Sequence, residues 1–150
     1  IAPFASLIFS ILLSSCDPCR NLDCTCDRIS GQFRIVSKTG GKDLVFGAAP
    51  LYDKTKIKFY TLKSSDTIFF PYNTVKFAGN GYDSILYVSF YPTAMTSVYM
   101  KLSDTDTDTL DITYNTFNTR CCGTITEITK FRYNNLLDIP GKEGTQEIKK

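Results

Sequence analysis

Histidine and tryptophan are both absent from this chain of 150 residues, and glutamate occurs only at Glu127, Glu143 and Glu147. Without histidine the chain lacks the commonest general base and the commonest neutral metal ligand. Ser-His-Asp systems, Cys-His systems and His-zinc centres therefore cannot be built from it alone. A basic stripe is missing too. Lys plus Arg is 17 against 15 for Asp plus Glu, a net charge of +2, and the charges are interspersed, so a nucleic acid is not an expected partner. The aspartates are scattered through turn-like stretches, with no pair spaced locally as an acid and base. The expectation is a protein that is not an enzyme and needs no cofactor; a small hydrolase that assembles its carboxylates from distant strands is kept as a third reading. Phosphate loops are lacking as well, because neither Gly40-Gly41 nor Gly79-Asn80-Gly81 is followed by a helix start.

What is abundant is aromatic and β-branched. The chain has 11 Phe and 9 Tyr with many Thr, a bias that favours strands. Short apolar runs alternate with turns such as "KTGGKD", "KSSD", "AGNGYD" and "SDTDTD". The strand candidates, about nine of them by alternation, are Gln32–Val36, Asp43–Phe46, Lys56–Leu62, Thr67–Phe70, Thr74–Phe77, Ser84–Tyr91, Ser97–Leu102, Thr109–Tyr114 and Gly123–Tyr133. Ile125, Ile128 and Phe131 step by three, which suits a strand with a bulge near Glu127. The fold expected is all-β, a single antiparallel β-sandwich, immunoglobulin-like or related, over residues 31–133. Residues 134–150 read as a polar tail with an edge strand through Gln146–Lys149.

Alternation from Ser84 to Leu102 predicts a hairpin that pairs Phe90 with Met100 and Val88 with Leu102. Leu86, Val88, Phe90, Val98, Met100 and Leu102 would face the core. Tyr87, Tyr91, Tyr99 and Lys101 would then share the outer face, as a ligand platform for sugars or peptides or simply as cross-strand packing. Asp104, Asp106 and Asp108 are spaced as the first ligands of a Ca²⁺ loop. The Gly expected at the sixth position and the Glu at the twelfth are Thr109 and Asn115, so a solvated acidic turn is the main expectation and Ca²⁺ the weaker one.

Residues Ile1 to Leu13 carry no charge and are mostly Ile, Leu, Phe and Ala, an apolar run of secretory-signal length. Thirteen helical residues reach about 20 Å, short of the roughly 30 Å of hydrocarbon in a bilayer. The run ends in Leu13-Ser14-Ser15-Cys16, which resembles the lipobox of bacterial lipoproteins. The resemblance implies cleavage before Cys16 and lipidation of Cys16, with residues 1–15 as a signal segment without its charged start and 16–30 as a cysteine-rich tether. It points to small lipoproteins of Bacteroidota. Asp66-Thr67-Ile68, Asp83-Ser84-Ile85 and Asp108-Thr109-Leu110 resemble the O-glycosylation acceptors of that group, at Thr67, Ser84 and Thr109. The implied location is the bacterial envelope, lipid-anchored, at the outer membrane on its periplasmic side or surface.

Once Cys16 is lipidated five cysteines remain, and in an exported protein disulfides come first. The simplest scheme ties Cys24 and Cys26 to Cys121 and Cys122, with Gly123 supplying a turn and Cys19 as the odd thiol. The same four cysteines could hold zinc or Cu(I), which keeps a thiol-metal or redox protein as the alternative function. The leading expectation is a non-enzymatic binding, adhesion or structural module, held to the membrane by its lipid and taking a protein or glycan ligand.

Overall fold

Where apolar and polar residues alternate along a segment, one side of the strand must be covered, and a second sheet supplies the cover. The computed structural model, which describes residue 19 and residues 29–76, 84–91, 95–135, 137–140 and 144–150, has this arrangement. Its strands are β1 (Ser30–Val36), β2 (Lys58–Lys63), β3 (Asp66–Phe70), β4 (Tyr72–Val75), β5 (Ile85–Ser89), β6 (Ser97–Lys101), β7 (Thr107–Thr119), β8 (Gly123–Tyr133), β9 (Leu137–Pro140) and β10 (Gln146–Lys149). A four-stranded sheet runs β10-β1-β5-β4, and a six-stranded sheet runs β3-β2-β6-β7-β8-β9. No helix occurs among the described residues. The protein is an all-β sandwich, and its ladders are antiparallel except where β10 lies parallel to β1.

Phenylalanines join the two sheets. Phe33 of β1 meets Phe59 of β2 at 6.1 Å, Phe131 of β8 at 5.1 Å and Phe90, just past β5, at 6.3 Å between ring centroids. Phe90 also meets Phe70 at 5.5 Å and Phe131 at 5.8 Å. Each of Phe33, Phe59, Phe90 and Phe131 is almost fully buried. Rings of this size dominate the apolar area removed from water, and edge-to-face contacts add specificity to it. Gly31 makes room for the cluster. A Cβ there would lie 2.6 Å from two ring carbons of Phe33 and 3.0 Å from Phe131.

The inward set read from Ser84 to Leu102 is correct: Leu86, Val88, Phe90, Val98, Met100 and Leu102 are all buried. The hairpin is not. β5 pairs with β1 and β4, while β6 pairs with β2 and β7. The chain crosses between sheets after Ser89, so the two apolar sides face each other across the core instead of lying side by side.

Asp43–Phe46 is not a strand either; a single bridge joins Val36 and Asp43. The Asp43 carboxylate accepts the amides of Val45 and Phe46 at 2.8 and 2.7 Å, giving the backbone a turn in place of a ladder. β7 runs five residues past the expected Tyr114, and β9 lies where only a polar tail was expected. Thr113 stands opposite Lys130 and Tyr114 opposite Ile128, so Thr129 is the extra residue of a bulge. That bulge lets Ile128 and Phe131, three apart, both turn inward.

Candidate functional site

In an antiparallel ladder, residues directly opposite each other share a face. Phe69 stands opposite Tyr60, and Tyr60 opposite Tyr99. Their neighbours Phe70, Phe59 and Met100 are buried in the core, so Phe69, Tyr60 and Tyr99 form a row across β3, β2 and β6 on the outer side of the six-stranded sheet. Tyr60 and Tyr99 stack at 5.2 Å, and Phe69 leans on Tyr60 at 5.9 Å. Phe69 is 58% exposed, and so is much of Leu62 on one flank of the row.

The other flank is cationic. Lys58 and Lys101 are register partners. Lys58 holds its ammonium 5.7 Å from the Phe69 ring centroid, within cation–π range. Lys101 pairs with Asp104 at 2.9 Å, and its hydrogen bond and charge hold the Asp104 carboxyl below the usual range.

A second cluster joins Lys150, just past β10, to the acidic turn. Lys150 donates from Nζ to Asp106 Oδ1 and to Asp108 Oδ2, both at 2.7 Å. Tyr52 donates to Asp106 at 2.6 Å, and Asn134 Nδ2 donates to Asp108 at 2.8 Å. Burial alone would raise Asp106, but the hydrogen bonds from Lys150 and Tyr52 outweigh it and hold its pKa low. Burial likewise disfavours the Lys150 ammonium, and the two carboxylates overcome that and raise its pKa. Tyr52 is pushed up to about 12 by burial and by its bond to Asp106. Burial, then a hydrogen bond to Asp108, raises Tyr133 as well. Backbone bonds complete the latch: the Lys150 amide donates to Val36 and its carbonyl accepts from Lys38. Among the described residues no buried side-chain polar atom is left without a partner.

The third feature is the far end of the β7–β8 ladder. Gly123 takes φ +67° at its turn, the left-handed conformation that glycine adopts readily. Cys121 beside it is bonded to Cys19, with Cα atoms 5.2 Å apart, and Cys122 is disulfide-bonded as well.

Several expectations change. Cys19 is not the odd thiol but the partner of Cys121; the cysteines of the tether are equally close in sequence, and spacing alone does not choose among them. Cys16, Cys24 and Cys26 lie outside the described residues. With Cys121 and Cys122 in disulfides, two of the four cysteines of the thiol-metal reading offer no thiolate.

The platform of Tyr87, Tyr91, Tyr99 and Lys101 is divided, because β5 and β6 belong to opposite sheets. Tyr87 lies on the four-stranded sheet and donates to Ser30 Oγ at 2.9 Å, and Tyr91 follows β5 at 67% exposure. Tyr99 and Lys101 remain together in the row above. Their partners Tyr60, Phe69 and Lys58 were legible as the polar-side alternates of "KFYTLK" and "DTIFF", had the pairing of β2 with β6 been known.

Asp104, Asp106 and Asp108 do not converge as a Ca²⁺ loop. Asp104 turns to Lys101, and the Lys150 ammonium lies between the other two. No group of three such ligands capable of holding a metal occurs among the described residues. Of the three acceptor-like positions, Thr67 is exposed, Ser84 is half-buried, and Thr109 is half-buried with its hydroxyl 3.4 Å from Asn134 Oδ1.

Compared with protein-family models, curated proteins and solved structures, the chain matches none.

Proposed function

We propose that the protein is a lipid-anchored protein of the bacterial envelope that binds an anionic carbohydrate without transforming it. The observation that carries this is the row of Phe69, Tyr60 and Tyr99 with Lys58 and Lys101 along one flank. A sugar ring presents C–H groups to an aromatic face, phenol hydroxyls offer polar edges beside it, and ammonium groups bond carboxylate or sulfate substituents. With strands about 4.8 Å apart, the row is about 10 Å long from first to last, room for a short stretch of saccharide. The sandwich holds these groups in place before binding, which reduces the ordering cost.

Export to an oxidising compartment is supported by the Cys19–Cys121 bridge and the bridged Cys122. Attachment through Cys16 is supported by the lipobox resemblance of Leu13-Ser14-Ser15-Cys16, and the outer membrane, on its periplasmic side or surface, is the proposed address. Exposed Thr67, on the β3 edge of the same sheet, is the proposed glycosylation position best placed for access.

The test is titration with an acidic polysaccharide such as polygalacturonate. Tyr60→Ala and Tyr99→Ala should each weaken binding about tenfold, which corresponds to about 1.4 kcal/mol, with little change in Tm. Failure of the native protein to bind, or binding by both variants as tight as that of the native protein, overturns the binding reading. Replacing Cys16 by Ser should release the protein from membranes, and unchanged membrane association overturns the anchor.

A further inference from the structure

We infer that the turn end of the β7–β8 arm, residues 117–125, rests on the phospholipid headgroup layer. The inference builds on the proposed lipid at Cys16 and adds to it an orientation and a second contact.

Chain reach carries the first step. Cys16 and Cys19 are three residues apart, so whatever path the chain takes their Cα atoms are within about 11 Å. The Cα of Cys121 is 5.2 Å from that of Cys19. The arm's turn is therefore within roughly 16 Å of the acylated residue, and the headgroup region on each side of a bilayer is itself several Å thick. Without the bridge, a tether running to Ser30 would leave the sandwich free to stand anywhere within a much larger radius.

Composition carries the second step. From Asn115 to Thr126 the one charged residue is Arg120, exposed at the turn, and the first carboxylate is Glu127. The other exposed side chains of this stretch are Asn115, Thr116, Phe117, Asn118 and Thr124, with Phe117 at 39%. A guanidinium bonds phosphate oxygens in pairs, an aromatic ring settles at the polar boundary of a bilayer, and hydroxyl and amide groups tolerate the headgroup layer. The charged rows of the sandwich, by contrast, belong to its far part. Thr109, opposite Tyr99, is ten residues from Thr119, or about 33 Å along an extended strand. Contact at the turn thus leaves the aromatic row clear of the membrane.

The experiment uses the acylated protein reconstituted into vesicles of phosphatidylethanolamine and phosphatidylglycerol carrying brominated acyl chains. Because the chain has no tryptophan, Phe117→Trp and Phe69→Trp each introduce a single fluorophore. Quenching should be severalfold stronger in F117W than in F69W, and adding Arg120→Glu to F117W should reduce it. Equal quenching in the two proteins, while both sediment with the vesicles, overturns the contact and leaves the anchor standing. Failure to sediment, together with an intact mass showing no acyl chain on Cys16, overturns the anchor and this inference with it.

Discussion

The two ends of the β7–β8 ladder are continuous in hydrogen bonding and differ in what holds them. Near its start, Asp108, Leu110 and Ile112 are buried in alternation, with Tyr133 and Phe131 opposite Leu110 and Ile112. Beyond Tyr114 the residues Asn115–Asn118 are all exposed, and a two-stranded ribbon of this kind is marginal in water. A covalent bridge to Cys19 stands where, among the described residues 115–126, no side chain is fully buried. One part of the ladder is kept by burial and the other by cross-linking, so a perturbation of either force should be felt at one end before the other.

The largest effect is expected from Phe33→Ala. The ring contacts Phe59, Phe90 and Phe131 and is fully buried, so its loss should cost about 4 kcal/mol in urea unfolding monitored by circular dichroism. A cost near 1 kcal/mol would show that the ring cluster does not hold the sheets together. Next comes the paired change Cys19→Ser with Cys121→Ser, which opens a bridge between residues 102 apart and should cost about 2–4 kcal/mol. Its signature in hydrogen exchange is local: amides at 115–125 should lose protection well before those of Ile112 and Phe131. Uniform loss across the ladder would erase the distinction between its ends.

Much of the buried end was legible in the chain. The alternation places β8 at Gly123–Tyr133, its observed bounds, and the three-step spacing of Ile128 and Phe131 signals a bulge, which lies at Thr129, two residues from the expected Glu127. Alternation identifies which side of a strand is apolar. It says nothing of whether two apolar sides meet side by side or across a core, and for that reason the alternation of Ser84–Leu102 suits a hairpin, with Tyr87 beside Tyr99, as well as it suits two strands in facing sheets. The other end was less legible because its determinants are long-range. Cys19 finds Cys121 across most of the chain, and no local periodicity encodes that choice; at the buried end the same holds for Lys150, which finds Asp106 and Asp108.

The Lys150 latch closes the buried end. Lys150→Met leaves Asp106 and Asp108 without their shared cation and should cost about 1–3 kcal/mol, less than a fully buried pair would. The pH dependence follows from the two shifts. Asp106 is held low, so its contribution is present above the ordinary carboxylate pKa and is lost as pH falls through its lowered value. Lys150 is held high, so its contribution is present below the ordinary lysine pKa of 10.5 and is lost as pH rises through its raised value. The Tm difference between native and K150M protein should therefore be widest from about pH 5 to 9 and narrow at both extremes. A difference that stayed unchanged into the acid and alkaline extremes would mean that Lys150 acts through packing of its methylenes and not through charge.

The smallest effect discriminates best between the two ends, because it compares residues on one strand. Ile112 and Phe117 both belong to β7 and are five residues apart, yet Ile112 is 3% exposed and Phe117 is 39% exposed. If burial governs one end alone, Ile112→Ala should cost about 2–4 kcal/mol. Phe117→Ala should cost about 0.5 kcal/mol, since its main loss is the cross-strand contact with Ile125 opposite it. Thermal melts of the two variants, made in the same acyl-free background, provide the measurement. Reducing the disulfides should leave the Ile112→Ala cost in place, because the packing it removes does not depend on the bridge. Equal costs for the larger exposed ring and the smaller buried chain would mean that the arm is packed against something in solution, and the division between a buried end and a stapled end would have to be abandoned.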